Sequence, residues 1–305
     1  MAIAQPQSQP HDTREKSTPS KPGPSKQPIN IRAIVLWVAV VLTVVFCLAP
    51  VFWQLLTSFK TNDAIASVPT VYFPSPDQLT LSHYTELFAR RPFLFYILNS
   101  TFVAIVSTLL CLALGAPAAY ALARLPIKGG GILLLVVLFV TLFPYVLLFL
   151  GLLEVVRAVG LANNYLALIV PYTAINLPLT ILVMRSFFQQ LPKDLEDSAK
   201  MDGYNTLQML WYVLLPMTLP ALVTTGILAF IFSWNEFIFA LTFITRDVMR
   251  TIPVGTAQLG SASVFEIPYG PYAAATVVGT LPLVALVLIF QRRIVQGLTA
   301  GAVKG

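Results

Sequence analysis

The sequence predicts an all-α polytopic membrane protein of six transmembrane helices, and three observations carry that expectation. Only 10% of the 305 residues are charged, 57% are hydrophobic, and the mean hydropathy is +0.78. A soluble domain carries roughly 25% charged residues and about 45–50% apolar ones, so thirty-two charges cannot cover soluble domains of this length. Second, a helix needs about 20 mostly apolar residues to cross roughly 30 Å of hydrocarbon. Six stretches qualify, at about 33–56, 94–122, 131–150, 164–184, 218–244 and 273–291. Third, the Lys and Arg residues are shared unevenly between alternate connections, thirteen on one side and six on the other. By the positive-inside rule the richer side is cytoplasmic, which places both termini inside. The net charge of +6 lies between apolar runs and not on a soluble basic face, so nucleic acid is not an expected partner.

Residues 1–30, rich in Pro, Ser, Gln and Lys, bury too little to offset ordering and read as a disordered cytoplasmic tail. The first span runs from Arg32 to Lys60, with Trp53 at a boundary where aromatic belts lie. Pro50, Pro117, Pro144, Pro171, Pro178 and Pro282 fall inside spans, where neighbouring helices can satisfy the carbonyls they free. The outer loop at 57–93 carries Pro69, Pro74, Pro76 and Pro92 with several aromatics and is expected to be structured against the membrane surface. The outer loop at 245–272 reads as turns, at Gly260-Ser261-Ala262-Ser263 and Pro268-Tyr269-Gly270-Pro271. Cys47 and Cys111 are too sparse for a disulfide framework, and His11 and His83 lack a second ligand, so no metal site is expected.

The inner loop over 191–217, within the connection 185–217, reads LPKDLEDSAKMDGYNTLQMLWYVLLPMTLP from Leu191. Pro192 suits a first helical turn, and Asp194, Glu196 and Asp197 complement the helix dipole there. Leu195, Ala199 and Asp202 share one side, Gly203 can end the helix at positive φ, and Asn205 or Thr206 can cap a second one. That second helix is expected to present Leu207, Leu210, Trp211 and Leu214 as an apolar stripe before Pro216. Physics alone leaves two uses for this helix–Gly–helix, docking in a groove of another protein or lying on lipid headgroups. Small residues at 199 and 203 favour docking.

Asp197-Ser198-Ala199-x-x-Asp202-Gly203, followed by Leu215-Pro216, resembles the coupling-loop motif of ABC-importer permeases, E-A-A-x-x-D-G with a later L-P. It departs in having Asp197 and Ser198 for the first Glu and Ala, and Tyr204 for the usual Ala after Gly. Asn99-Ser100, the stretch Ala118-Ala119-Tyr120-Ala121-Leu122-Ala123-Arg124, Ser233-Trp234-Asn235-Glu236-Phe237 and the end from Gln291 to Gly305 resemble the carbohydrate-uptake branch, more narrowly its maltose- and trehalose-type second permease. The resemblance covers roughly 31–305 and implies the type I importer permease fold, with a permease domain over 31–296 and a coupling helix in the loop. It implies a homologous second permease, two ATP-hydrolysing subunits beneath, and an external solute-binding protein that delivers a sugar. Residues 297–305 would then form a cytoplasmic tail reaching the ATPases, the alternative being a frayed end. ATPase coupling falls by the same resemblance to Leu195, Asp197, Ser198, Ala199, Met201, Asp202, Gly203, Tyr204 and Pro216. There is no Gly-rich phosphate loop of the Walker type, so the chain is expected to be no enzyme and to bind no cofactor, with ATP and Mg2+ held by the partner ATPases.

Glu236 is the one formal charge well inside a span, and so a candidate for the solute pathway or a gate, beside Asn235, Trp234 and Tyr172. Assembly through a backbone group or partner helix remains the equal alternative. An ion-driven carrier would place several ionisable groups near the midplane, and a membrane enzyme would need a nucleophile–base pair. Neither pattern stands out. Maltose, trehalose, sucrose and a glycosyl-polyol such as glucosylglycerol all fit as solute.

Overall fold

A computed structural model describes residues 31–259 and 268–300, with side chains to residue 292. The segment 1–30, the Gly260-Ser261-Ala262-Ser263 turn and residues 301–305 lie outside the described residues. Two compact units divide the chain after Pro50. Helix α1 (Ile31–Phe59) continues through Pro50 with a mean hydropathy of 2.8.

The loop that follows is ordered, through α2 (Asn62–Ala66), a 3-10 turn at Pro76–Gln78 and α3 (Ser82–Arg90). Its anchor is Lys60, 2% exposed, whose Nζ donates to Val71 O at 2.5 Å and sits 4.1 Å from the Trp53 ring centre. His83 Nε2 meets Lys60 O at 2.8 Å, and Ser58 and Tyr84 share a hydrogen bond.

Helix α4 (Phe93–Arg124) and α7 (Leu166–Gln190) pack most extensively, and both continue through their prolines, Pro117 in one and Pro171 and Pro178 in the other. Small residues let them approach: a Cβ on Gly115 would lie 2.6 Å from Thr180 Cγ2. Hydrogen bonds stitch the middle, from Cys111 to Thr180 at 3.1 Å and from Ser107 to Ser233 at 3.1 Å, as expected where lipid offers no polar partner.

The third span departs from the expectation of one helix over 131–150. Helix α5 (Gly130–Leu142) stops before Pro144, and the chain bends by 85° into a 3-10 turn and α6 (Phe149–Ala158). Phe143 is extended, as the residue before a proline prefers. The loop beyond α7 forms α8 (Asp194–Met201), α9 (Thr206–Met209), a π-turn at Leu210–Leu214 and α10 (Leu215–Met217). An 83° bend then leads into α11 (Leu219–Asn235). The fifth span was expected to run unbroken over 218–244; it breaks at Glu236, and α12 (Ile238–Phe243) resumes.

Helix α13 (Ile252–Ala257) precedes α14 (Tyr269–Ala300). The expected Pro268-Tyr269-Gly270-Pro271 turn is instead the start of α14, because Pro271 suits a first turn whose N–H has no partner. The expected tail boundary at 297 also moves, since α14 continues to Ala300. Among the described residues four helices, α1, α4, α7 and α14, are each long and apolar enough to span, and counting each bent pair as one span gives six.

Candidate functional site

The loop over 191–217 folds onto the ends of α4, α7 and α11. Ala199, Met209, Leu210, Leu214 and Leu215 join Ala116, Ala119, Tyr120, Met184, Phe188 and Ala221 in one buried cluster. Helix α8 begins at Asp194, with Lys193 as cap, so Pro192 precedes the helix instead of opening it. Its end is a Schellman motif: Gly203 takes φ +84°, Gly203 N–H donates to Lys200 O, and Tyr204 N–H to Ala199 O, each at 3.0 Å. Asn205 then caps α9 reciprocally with Gln208, Oδ1 accepting from Gln208 N at 2.9 Å and Asn205 N donating to Gln208 Oε1 at 3.0 Å.

The buried side of α8 is not the expected Leu195–Ala199–Asp202 line. Glu196 and Ala199 are buried, Leu195 is half-buried, and Asp202 is exposed with Asp197, Ser198, Met201 and Gly203. In the second helix, Leu210 and Leu214 face inward as expected, but Leu207 and Trp211 are exposed and Met209 is buried. The π-turn explains the change of phase. Pro216 has no N–H for the usual ladder, and Leu215 N–H reaches back five residues to Leu210 O.

The candidate coupling residues therefore divide. Ala199 and Leu195 seat the loop, while Asp197, Ser198, Met201, Asp202, Gly203 and Tyr204 form an outward rim; Pro216, also exposed, ends the π-turn. Sequence reasoning missed the polar contact that holds α8 down. Glu196 Oε1 lies 3.1 Å from Arg124 Nε, and Tyr120 Oη donates to Glu196 Oε2 at 3.4 Å. The available signal was a single Arg ending an apolar span, Arg124.

The second candidate group does not form an open solute site. Tyr172 is fully buried, and its hydroxyl donates to Glu236 Oε2 at 2.5 Å. Glu236 accepts from Phe239 N at 3.0 Å and Ala240 N at 3.2 Å, so it caps α12 across the break in the fifth span. Trp234 is 3% exposed, with Nε1 donating to Gly279 O at 3.2 Å. Only Asn235 is exposed, and its amide donates to Ile231 O. Of the two roles left open for Glu236, the geometry favours assembly through backbone groups.

The Asn99-Ser100 pair is structural in the same way. Asn99 Nδ2 donates to Val248 O and Arg250 O, both at 2.9 Å, and its Oδ1 accepts from Tyr165 Oη at 2.7 Å. Ser100 Oγ accepts from Ile252 N at 2.8 Å, so the pair clamps the loop near 248–252 onto α4.

Residues 111–300 match the family described as "Binding-protein-dependent transport system inner membrane component". The chain is 42% identical over 258 residues to the sulfoquinovosyl glycerol transport system permease protein SmoH of Agrobacterium fabrum, covering 85% of this chain and 89% of that one. It is 38% identical over 277 residues to the trehalose/maltose transport system permease protein MalG of Thermococcus litoralis, covering 90% and 98%. In fold it is similar to a chain of a bacterial ABC transporter involved in importing the acidic polysaccharide alginate, with a TM-score of 0.72, 23% identity, and coverage of 86% and 96%.

Proposed function

The chain belongs to the family of binding-protein-dependent transport inner membrane components, the permease subunits of ABC importers and not their ATPases; from that premise we propose that it carries a sugar or glycosylated osmolyte inward as one of two homologous permeases. Two ATPases hold ATP and Mg2+ and dock against the 191–217 loop, and this chain supplies no cofactor of its own. An external binding protein delivers the solute. Relatives named for trehalose, maltose and sulfoquinovosyl glycerol support a disaccharide or glycosyl-polyol as solute. The excess of Lys and Arg in the tail and inner loops supports cytoplasmic termini.

One observation carries the mechanism: a short helix seated on three span ends presents an exposed rim, Asp197 to Tyr204, away from the helices that hold it. Closure of the ATPases would push that rim, and the spans would rock as rigid bodies between outward- and inward-facing states. The test is affinity purification of the tagged chain in mild detergent, followed by mass spectrometry and an ATPase assay over maltose, trehalose, sucrose and glucosylglycerol. Recovery of a homologous permease and an ATPase, stimulated by one sugar with its binding protein, is the expected result. A chain that purifies alone and stable, with uptake abolished by dissipating the proton gradient while ATP is maintained, overturns the proposal in favour of a gradient-driven carrier.

A further inference from the structure

Three acids lie in the first turn of α8, and only one faces inward. Asp194 and Asp197 are exposed, and the Asp197–Lys200 pair at 3.6 Å is of the solvated kind that contributes little. Glu196 is buried, and its partner Arg124, the last residue of α4, has a side chain only 9% exposed. The same guanidinium serves α7. Its Nε donates to Phe188 O at 3.0 Å, a carbonyl that also accepts from Leu191 N at 3.3 Å, and Nη2 donates to Leu191 O at the end of the helix. One planar fork thus touches three elements: α4, which carries it, the end of α7, and α8. Lysine, a single point charge, could not replace it. The contacts differ in kind. Nε–H is directed at Phe188 O, while Glu196 Oε1, 3.1 Å from the same nitrogen, accepts no hydrogen bond. Arg124 is therefore fixed to α7 by directional bonds and to α8 by charge. A contact held by charge weakens gradually as a helix tilts, whereas a directional bond breaks.

We propose that Glu196 and Arg124 are a positioning pair, the tether through which movement of the 191–217 loop, continuous by backbone with α7, is passed to α4. The inference rests on the importer reading above and adds the residues that link the docked loop to the spans. Neither residue is on the exposed rim, so their loss leaves ATPase docking in place and disconnects it from solute movement.

The test uses the complete importer in lipid vesicles, with the sugar selected from the four-sugar panel as probe, and measures sugar moved per ATP hydrolysed. Glu196→Gln keeps shape and removes the charge. Its expected phenotype is wild-type recovery of the ATPases with about a tenfold fall in that ratio, or 1.4 kcal/mol. Arg124→Gln should fall similarly, and the double variant should be no worse than either single one, as for residues acting through one contact. A merely structural role would lower uptake and ATP hydrolysis together and leave the ratio unchanged, which overturns the proposal; so do losses that multiply in the double variant. Should Glu196→Gln fail to accumulate, Glu196→Asp retains the charge on a shorter arm, with a smaller fall in the ratio expected and no fall counting against the tether. A wild-type chain showing no ATP-driven uptake overturns the importer reading and this inference with it, whereas a working wild type beside an unchanged Glu196→Gln overturns the tether alone.

Discussion

Glu236→Gln separates a cap from a solute contact, because the carboxylate is met by three donors in a fixed arrangement. Oε1 accepts from Phe239 N, and Oε2 accepts from both Ala240 N and the Tyr172 hydroxyl. A glutamine has one oxygen to offer. With the oxygen in the Oε2 position, its NH2 faces Phe239 N–H; reversed, the NH2 can donate to Tyr172 but faces Ala240 N–H. Either way one backbone donor is left buried without an acceptor, which costs about 1–3 kcal/mol. Thermal midpoints move about 2–4 °C per kcal/mol for chains of 150–250 residues, so a fall of about 2–12 °C is expected in detergent. Sugar KM should change by less than about twofold, because no uniform binding is removed. Tyr172→Phe should destabilise by about 1.5–3 kcal/mol, the value of a hydrogen bond to a charged group, and combine with Glu236→Gln less than additively because both act on Oε2. An unchanged midpoint with KM raised about tenfold or more would refute the cap and make Glu236 a solute contact.

Other perturbations follow from the same geometry. A Cβ on Gly203 meets nothing within 4 Å, so Gly203→Ala should cost only the left-handed backbone penalty of about 1–2 kcal/mol. Gly203→Pro cannot adopt φ +84° and loses the N–H bonded to Lys200 O; uptake should vanish with membrane insertion intact, and normal uptake by a well-expressed variant would count against the loop's role. Gly255→Ala would place a Cβ 2.2–3.0 Å from Tyr96 ring atoms, and that ring is 1% exposed; overpacking of about 1–3 kcal/mol should appear as a lower thermal midpoint. Burial pushes the Lys60 ammonium below its ordinary value of 10.5. The folded chain therefore binds that proton less tightly than the unfolded one, and the group's contribution is complete above the ordinary value and lost as pH falls through the lowered one. Relative to Lys60→Met, the wild type should gain stability as pH rises towards the lysine range, and parallel pH curves for the two would exclude the effect.

The spans were legible because length and hydropathy alone set them, but their breaks were not. Pro117, Pro171 and Pro178 look no different in sequence from Pro144, yet only Pro144 ends a helix. Helices α4 and α7 are lined with buried residues, Pro171 and Pro178 among them, so neighbours can hold a freed carbonyl. Helix α5 has no buried residue, which separates Pro144 from the prolines of α4 and α7 but not from Pro50, since α1 continues through Pro50 with only Ser58 buried. The loop's Gly203 stop and Asn205 cap were legible because both are local devices. The phase of the second helix was not, since the π-turn adds a residue that a 3.6-residue period does not anticipate. Glu236 was legible as an oddity but not as a cap, because its acceptor role depends on a helix break that hydropathy conceals. The Glu196–Arg124 pair spans seventy-two positions, and the motif drew attention to Asp197 next door.

The two ends of the loop are built differently, and the difference bears on how a push could be transmitted. At the far end, Thr218 is buried, its N–H and hydroxyl both engage Leu214 O and Leu215 O, and the chain turns 83° directly into α11. Between the ends, Met209, Leu210, Leu214 and Leu215 are packed against Phe188 and Ala221, and close-packed interiors pass displacement on instead of absorbing it. A loop continuous by backbone with α7 at Leu191 and with α11 at Thr218, and held to α4 by charge at Glu196, would drive α7 and α11 directly and draw α4 after them through Arg124. Loss of the charge should then leave α7 and α11 responsive to the ATPases while α4 lags, so spin labels on exposed positions of α4 and α11 should move together in the wild type and separately in Glu196→Gln. Equal movement of both helices in the variant would show that the packed cluster alone carries the motion.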